Sequence, residues 1–321
     1  GRCKSVYFCD QECQRNGWKA HKFQCRSAGE GSAVDDLRCL EAEELSQGVI
    51  QPPTRADLRL AIIVPFREQM PVQDRQAQLD KLVGHLEAAL ERAIRMGRMA
   101  DWHILVMEQS QDGRPFNRGA LINAGFHYLD RSDKEFDQVM LHDVDLVADN
   151  LNAKAWYGAC VPKGYLCHHT AEGYAKYCGD RKVPGTCRGV VNLSWQDFKR
   201  SDGFPEDVWG WARGLEDRIW MDRLGQKQVN YYPVQQTLWT DLDAVNLGDF
   251  PESVQEEPSL YYDDRFRMVP EACLKPVAET ASEIAEQEAW SAELIDRKGG
   301  VSTASYKVLQ TRAYSAHACI V

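Results

Sequence analysis

Two aspartates that lie one residue apart are the first side chains in this sequence to suggest chemistry. An apolar run at 139–141 leads almost directly into Asp143 and Asp145. Alternate residues of an extended chain point the same way, so both carboxylates can face one cleft. Carboxylate oxygens suit hard cations such as Mg²⁺ or Mn²⁺, which in turn hold phosphates. The pattern predicts a metal and nucleotide site, or else a solvated loop, since Asp241 and Asp243 repeat the spacing.

Alternating strands and helices are predicted around this pair. The strands are 60–64, which Pro65 ends, 103–107 and 138–141, and the helices are 78–99 and 119–129. Strands interleaved with helices indicate a parallel sheet in an α/β domain. Such sheets bind ligands at the carboxyl ends of their strands, which is where 65–67, 108–110 and 143–145 lie.

Composition and charge narrow the class of protein. The chain has 321 residues, of which 44% are hydrophobic and 27% charged, as in an ordinary soluble globular protein. Its net charge of −10 argues against a nucleic-acid partner, which would need a basic surface. We expect no transmembrane segment in this chain, because no apolar run approaches membrane-spanning length. The first residue is Gly1 and not Met, so an upstream membrane anchor in a longer natural protein stays an open alternative.

Potential metal ligands crowd the first 25 residues. They are Cys3, Cys9, Cys13, His21 and Cys25. Such spacing of thiolates and imidazole is typical of structural zinc, and a disulfide cluster of a secreted protein is the alternative. With Tyr7-Phe8-Cys9 and Trp18-Lys19-Ala20-His21, residues 1–26 resemble the C-terminal half of a MYND zinc finger. The resemblance implies that these five side chains bind Zn²⁺ and that the finger binds a protein partner, although the family's upstream cysteines are missing.

Residues 27–56 are predicted to be a linker. This segment contains a Gly- and Ser-rich stretch, an acidic stretch and Pro52-Pro53. Such a composition is typical of flexible or extended connections. The remaining 57–321 is predicted to be one domain.

Five motifs in this domain occur in the order found in the β-1,4-galactosyltransferase family (glycosyltransferase family 7). They are Ile62-Ile63-Val64-Pro65-Phe66-Arg67, Asp112-Gly113-Arg114-Pro115-Phe116-Asn117-Arg118-Gly119, Leu121-Ile122-Asn123-Ala124-Gly125-Phe126, His142-Asp143-Val144-Asp145-Leu146, and Asp202-Gly203-Phe204-Pro205 followed by Trp209-Gly210-Trp211. Tyr306-Lys307-Val308-Leu309 also resembles the family's last strand. The resemblance implies a GT-A fold, with a Rossmann-like, mostly parallel sheet and flanking helices. It also implies transfer of galactose, or a related hexosamine, from a UDP-sugar to the 4-hydroxyl of an acceptor sugar, with Mn²⁺ and inversion.

The same resemblance implies roles for individual residues on the donor side. Pro65, Phe66, Arg67, Phe116 and Arg118 would contact the uridine and its phosphates. A guanidinium suits a diphosphate and an aromatic face suits a base. The alternatives are surface ion pairs for the arginines and core packing for the phenylalanines.

Further donor-side roles concern the metal. Asp145 would bind it directly, and Asp143 would lie near the ribose or beside the metal's ligands. Arg75 is a candidate for a second family arginine.

The acceptor side is expected around Trp209, Trp211 and the pair Glu216-Asp217. An aromatic plane packs against the apolar face of a sugar, and a nearby carboxylate takes the proton of the attacking hydroxyl. The resemblance implies that Asp217 is the general base, that Glu216 orients the acceptor and that Trp211 contacts the sugar. The alternative is that the tryptophans are core residues and that the acidic pair lies in the first turn of a helix with a buried apolar face.

Two departures from the family pattern affect the site. The family completes its metal site with a histidine, but this chain has none between His169 and His317. Asp241 or Asp243 lies near the expected place, and an all-oxygen site would take Mn²⁺ or Mg²⁺. Arg188-Gly189 replaces a pair of glycines, which puts a long side chain near the donor sugar.

The seven cysteines after the finger bear on the compartment. Four of them, Cys160, Cys167, Cys178 and Cys187, could form two disulfides in the lumen of the Golgi, whereas a MYND finger suits the reducing cytoplasm. Localisation therefore stays unknown. A metal-dependent inverting glycosyltransferase is the main hypothesis, and a non-catalytic scaffold protein with a MYND finger and a degenerate transferase domain is the alternative.

Overall fold

A computed structural model describes residues 51–68, 74–171, 187, 189–209, 215–242 and 299–321. The five predicted zinc ligands lie outside the described residues, as do Cys178, Arg188, Trp211 and Asp243. The predicted division of the chain at residues 26 and 56 stays a prediction.

Three parallel strands form the centre of the sheet. They are β1 (Arg59–Phe66), β2 (Asp101–Glu108) and β3 (Gln138–His142), and β1 lies between the other two. Their near-continuous apolar sequences fit a sheet that is covered on both faces. The three predicted strands are confirmed, but Pro65 lies inside β1 and does not end it. Proline is tolerated there because the pairing of β1 with β3 ends at Ile63, two residues earlier.

Two long helices connect these strands, as predicted. Helix α1 (Arg75–Arg95) begins after Asp74, whose side chain accepts a hydrogen bond from the backbone N–H of Ala77. Helix α2 (Arg118–Asp130) begins after Asn117, which caps Ala120 in the same way. Both caps satisfy backbone donors of a first helical turn.

The remaining elements extend the sheet on both sides of these three strands and surround it. They are β4 (Leu146–Ala148), α3 (Leu151–Trp156), β5 (Tyr165–His168), β6 (Val190–Ser194), α4 (Trp195–Ser201), α5 (Leu215–Gln226), β7 (Asn230–Pro233), β8 (Trp239–Asp241), β9 (Arg312–Ala313) and β10 (Ala318–Ile320). The main sheet has the order β7-β5-β6-β3-β1-β2-β10-β9, while β4 and β8 pair separately. β6 runs antiparallel to both β3 and β5, and β9 antiparallel to β10, so the sheet is mixed. Residues 306–309, expected to resemble a last strand, are not a strand.

The core lies on both faces of the sheet. On one face, α1 packs Leu82, Leu86 and Leu90 against β1 and β2. On the other face, α2, α4 and α5 contribute large aromatic side chains, among them Phe126 and Trp220, and Phe204 stacks on Trp220 at 4.4 Å between ring centres. Both faces are therefore closed, and the strand ends are the part of the sheet left for a ligand.

The expected disulfides are not found among the described residues. Cys160, Cys167 and Cys187 are free thiols, as is Cys319. Because three of the four cysteines from 160 to 187 are unpaired, the two bridges considered for a lumenal protein are not formed in this structure. None of the described helices is both long and apolar enough to span a bilayer.

Candidate active site

Arg118 joins two acidic residues from distant parts of the chain. Its Nε donates to Asp143 Oδ1 at 2.9 Å, and its Nη1 donates to Asp217 Oδ1 at 3.1 Å. The side chains are 14%, 24% and 3% exposed, respectively. The end of β3 and the first turns of α2 and α5 thus meet at one cluster, which we call the Arg118 triad (Arg118, Asp143 and Asp217).

Backbone features hold Asp143 in place. Gly189, just before β6, donates its N–H to Asp143 Oδ2 at 3.1 Å and accepts the N–H of Asp143 at 3.0 Å. Gly189 has φ +83°, and a Cβ there would lie 2.6 Å from Thr170 Oγ1. Glycine is required because this backbone conformation and this close approach both exclude a side chain.

The charges of the triad depend on one another. Burial alone would lower the pKa of Arg118, but attraction to Asp143 and Asp217 outweighs burial and raises it. Burial raises the pKa of Asp143, with repulsion from Asp145 and Asp217 adding to the effect and Arg118 opposing it. A buried cation shared by two acids stabilises both while it is in place.

Asp145 lies beside a second arginine. The Asp145 side chain is 9% exposed, and its Oδ2 lies 3.3 Å from Arg75 Nη1. Strand β8 runs alongside and pairs Asp241 with Leu146, and the N–H of Leu242 donates to the Asp145 carbonyl at 2.7 Å. Asp241, the described member of the second Asp-x-Asp pair, therefore lies next to the first pair.

The position of Asp145 suits a cation. A nearly buried carboxylate already faces the positive charge of Arg75, and carboxylate oxygen is the donor that Mg²⁺ and Mn²⁺ prefer. Over the described residues, no three His, Cys, Asp or Glu side chains group closely enough to hold a metal ion. The residues therefore fit an ion of the kind that binds one or two carboxylates and completes its coordination with water and substrate phosphates.

Arg67 and Phe116 lie together at the end of β1. The guanidinium carbon of Arg67 is 5.8 Å from the centre of the Phe116 ring. Arg67 Nη1 donates to the carbonyl of Arg114 at 2.7 Å, whereas its buried Nε has no hydrogen-bond partner. Burial lowers the pKa of Arg67. A half-buried cation with an unused donor is suited to an anionic ligand.

Two other residues that were predicted to contact the UDP-sugar are buried in the protein. Phe66 is 1% exposed and packs in the hydrophobic core, which is the alternative considered for it. Pro65 is also buried, inside β1.

The predicted acceptor side is described in part. Glu216 and Asp217 lie in the first turn of α5, while Ile219 and Trp220 are fully buried. The two acidic residues therefore lie in the first turn of a helix with a buried apolar face, which was the alternative considered for them. This position also brings Asp217 into contact with Arg118. Trp209 faces the guanidinium of Arg114 at 5.0 Å.

A cleft of about 440 Å³ opens beside Trp209 and Arg114. Gln109, Asn117 and Glu206 also line it, but Asp143 and Asp217 do not. The cleft is therefore a neighbour of the triad rather than part of it.

Sequence reasoning missed three contributors to the site. Gly189 was mentioned only because Arg188 precedes it, and no role was predicted for the glycine itself. Its backbone N–H donates to Asp143 Oδ2. Cys187 lies 4.0 Å from Asp217 Oδ1, and nothing in the sequence links the two residues. Asn117 starts α2 and so positions Arg118, and the usual preference for Asn at a helix N-cap could have identified it.

Two family models match the chain. Residues 30–158 match the N-terminal region of glycosyl transferase group 7, and residues 1–25 match the MYND finger. The first match begins inside the predicted linker. The predicted MYND segment and transferase family are confirmed.

Curated relatives match the middle of the chain. Beta-1,4-galactosyltransferase 5 of Danio rerio is 34% identical over 189 residues, which are 58% of this chain and 44% of that protein. Beta-1,4-galactosyltransferase 3 of Homo sapiens is 31% identical over 175 residues, which are 54% of this chain and 40% of that protein. The chain thus spans less than half the length of these relatives.

Solved structures with a similar fold cover more of the chain. The catalytic domain of Drosophila beta1,4galactosyltransferase 7, in complex with xylobiose, superposes with a TM-score of 0.57 at 21% identity, covering 82% of this chain and 92% of that one. A mutant of that enzyme in complex with manganese, UDP-Gal and xylobiose gives a TM-score of 0.55 at 21% identity, with the same coverage. This likeness confirms the predicted GT-A fold.

Proposed function

We propose that this chain is a glycosyltransferase, because residues 30–158 match the glycosyl transferase group 7 family, its curated relatives are β-1,4-galactosyltransferases and its fold is GT-A. It moves galactose, or a related hexose or hexosamine, from a UDP-sugar to the 4-hydroxyl of an acceptor sugar, with inversion. The names of its relatives support the sugar, and the UDP-Gal and xylobiose held by a protein of the same fold support the two classes of substrate.

The observation that carries this proposal is the Arg118 triad. Asp143 follows the strand that a donor nucleotide would approach, and Asp217 is the proposed base on the acceptor side. One guanidinium contacts both at 2.9 and 3.1 Å. A carboxylate on the donor side and the proposed base on the acceptor side are therefore held by the same guanidinium.

On the donor side, chain residues bind and orient the nucleotide. Arg67, whose Nε–H donates to no partner, binds the diphosphate. Phe116 beside it packs against the uracil ring. Asp143, fixed by Gly189 and Arg118, binds the ribose. Phe66 and Pro65 support this surface from the core.

On the acceptor side, a hydroxyl of the acceptor attacks the anomeric carbon of the donor sugar. Its proton passes to Asp217, whose Oδ1 is held by Arg118, while the bond from the anomeric carbon to the UDP oxygen breaks. A single displacement of this kind inverts the configuration at that carbon. Glu216 orients the acceptor from the same helical turn, and Trp211, outside the described residues, is proposed to pack against the sugar.

A divalent cation, Mn²⁺ or Mg²⁺, is proposed to bind at Asp145. Asp241 lies on the neighbouring strand and could add an oxygen, while Asp243 lies outside the described residues. When bound, the ion supplies positive charge to the departing diphosphate. The manganese in the related structure supports this assignment.

The N-terminal finger is proposed to bind Zn²⁺ through Cys3, Cys9, Cys13, His21 and Cys25 and to recruit a protein partner. The match to the MYND finger supports this proposal. Two compartments were suggested by the sequence, the Golgi lumen by the transferase resemblance and the cytoplasm by the finger, and both stay predictions.

The experiment that tests the function is UDP release from UDP-galactose by the 321-residue chain with Mn²⁺ and a pool of acceptor sugars. We expect acceptor-dependent release in the wild type and a loss of at least about 100-fold in Asp217→Asn, the size typical of removing a general base. Asp222→Asn is the matched control, because Asp222 is an exposed aspartate of the same helix.

The opposite result would be equally informative. If no UDP-sugar supports release and the wild type equals Asp217→Asn, the catalytic proposal fails. The scaffold hypothesis would then be the better account of the chain.

A further inference from the structure

A chain of side-chain hydrogen bonds crosses the sheet beside the Arg118 triad. Strands β7, β5, β6 and β3 are neighbours in that order. The hydroxyl of Tyr231, on β7, lies 2.8 Å from Nδ1 of His168, the last residue of β5. On the other side of the imidazole ring, His168 Nε2 lies 3.0 Å from Thr170 Oγ1. We call Tyr231, His168 and Thr170 the Tyr231 chain, and none of the three lies in the five motifs.

Thr170, at the inner end of this chain, contacts the backbone that holds Asp143. Its Oγ1 accepts the N–H of Val190 at 3.2 Å, and it lies 2.6 Å from the place that a Cβ of Gly189 would occupy. Gly189 in turn exchanges two hydrogen bonds with Asp143, at 3.0 and 3.1 Å. The Thr170 hydroxyl therefore fixes the start of β6, and Asp143 is bound to that start.

The Asp143 carboxylate depends on this backbone for one of its two described donors. Oδ1 accepts from Arg118 Nε at 2.9 Å, and Oδ2 accepts from the Gly189 N–H at 3.1 Å. A carboxylate that binds a ligand needs neighbouring groups that hold its own orientation. If Gly189 shifts, Oδ2 loses its donor and the carboxylate can turn about the contact with Arg118.

The chain is buried at its inner end and open at its outer end. Thr170 and His168 are 3% and 6% exposed, whereas Tyr231 is 43% exposed. A lost hydrogen bond costs most where water cannot replace the missing partner. Removing the Thr170 hydroxyl should therefore disturb Gly189 more than removing the Tyr231 hydroxyl.

We propose that the Tyr231 chain positions the Asp143 carboxylate, through Gly189, for the ribose of the nucleotide. Its members are positioning residues, since they act through Gly189 and Asp143. The inference rests on the proposed function for the ribose. The hydrogen bonds that reach Asp143 do not depend on that function, and they can be tested without a nucleotide.

The first test is calorimetric titration of the whole chain with UDP and with 2′,3′-dideoxy-UDP, with Mn²⁺ present. The wild type should bind UDP at least about tenfold more tightly, because only UDP offers ribose hydroxyls to Asp143. Thr170→Val keeps the shape of the side chain but removes its hydroxyl, so this preference should fall at least about fivefold. Thr170→Ser keeps the hydroxyl and should stay within about twofold of the wild type.

The outer end of the chain gives a graded comparison. Tyr231→Phe removes only the bond to His168, where water can substitute, so the preference for UDP should fall by about two- to threefold. Tyr232→Phe is the matched control, because Tyr232 is the next residue of β7 and is 46% exposed. This control should leave the preference unchanged.

The second test needs no nucleotide. Amide hydrogen exchange at Asp143 and Gly189, followed by nuclear magnetic resonance, reports the two hydrogen bonds between them. We expect exchange at both amides to be at least about tenfold faster in Thr170→Val than in Thr170→Ser. Amides of α1 (Arg75–Arg95) should exchange equally in both variants, which verifies that the fold is intact.

Three results would overturn the inference. They are a preference for UDP that is the same in Thr170→Val and the wild type, a wild type that binds UDP and 2′,3′-dideoxy-UDP equally, and amide exchange that does not distinguish Thr170→Val from Thr170→Ser. If the wild type binds neither nucleotide while exchange still separates the two variants, the chain positions Asp143 and the proposed function fails.

Discussion

At the scale of single residues, Arg118 carries more of the site than any motif containing it suggested. It contacts Asp143 and Asp217, and its guanidinium lies 5.6 Å from the centre of the Phe204 ring. A planar cation with a fork of donors can satisfy two carboxylates at once, which lysine cannot do in the same geometry. The two acids stay close together because this cation lies between them.

Replacing Arg118 by methionine leaves the buried carboxylate of Asp217 and the partly buried carboxylate of Asp143 without their shared cation. We expect Arg118→Met to lower the free energy of unfolding by about 3 to 5 kcal/mol, measured by urea denaturation. Adding Asp217→Asn should restore about 1 kcal/mol or more, because one of the repelling charges is removed. Arg131→Met, exposed at the end of the same helix, should change stability by less than about 0.5 kcal/mol. Equal effects of Arg118→Met and Arg131→Met would contradict this account.

The sequence predicted which residues gather at the site but not how they pair. The family resemblance assigned Arg118 and Asp143 to the donor side of the site and Asp217 to its acceptor side. Their ion pairs span separations of 25 and 99 residues and depend on side-chain approach, which spacing alone does not determine. Phe66 was expected at the ligand, yet it lies in the core, because an aromatic residue at a strand end can point either way.

At the scale of elements, the site is made by strand ends and helix starts. Each main contributor follows β1 or β3 or begins α1, α2 or α5, and the capping residues Asp74 and Asn117 fix where the first two helices begin. The loop after α4 completes this arrangement. Buried Asn123 donates to the Phe204 carbonyl at 2.8 Å and accepts the Phe204 N–H at 2.9 Å, which holds Phe204 under Arg118.

Gly203 is required for that loop, whereas Gly84 in the middle of α1 is not required. Gly203 has φ +66°, and a Cβ there would lie 2.2 Å from Asn123 Oδ1. We expect Gly203→Ala to cost about 2 kcal/mol or more in unfolding free energy. A Cβ at Gly84 meets nothing within 4 Å, so Gly84→Ala should stabilise the helix by about 0.5 to 1 kcal/mol. Denaturation of both variants checks the contrast, and a Gly203→Ala protein as stable as the wild type would refute it.

Long apolar segments were predictable and short ones were not. The three central strands were identified by their continuous apolar runs, and the first long helix by the helical spacing of its apolar residues. β4, β5, β7 and β8 have only three or four residues each, too few for a clear alternation. These short strands were therefore not predicted. Strand β6, whose antiparallel pairing with β3 makes the sheet mixed, was not predicted either, nor was the non-strand conformation of 306–309.

At the scale of the whole molecule, different parts of the chain match two different families. A MYND segment of 25 residues precedes a domain whose fold is that of galactosyltransferases. The cysteines that suggested a lumenal protein include three free thiols in the described part, and burial raises the pKa of each. Cys167 and Cys187 are buried, and buried thiols of this kind are inert core residues.

The central claim is that the strand-end site binds a UDP-sugar through Arg67 and its neighbours. Calorimetric titration of UDP into the whole chain, with Mn²⁺ present, tests it most directly. We predict one binding site in the wild type, affinity at least tenfold weaker in Arg67→Gln, and affinity unchanged in Arg59→Gln, at the opposite end of the same strand. No binding of UDP at millimolar concentration, or equal binding by the wild type and Arg67→Gln, would contradict the account.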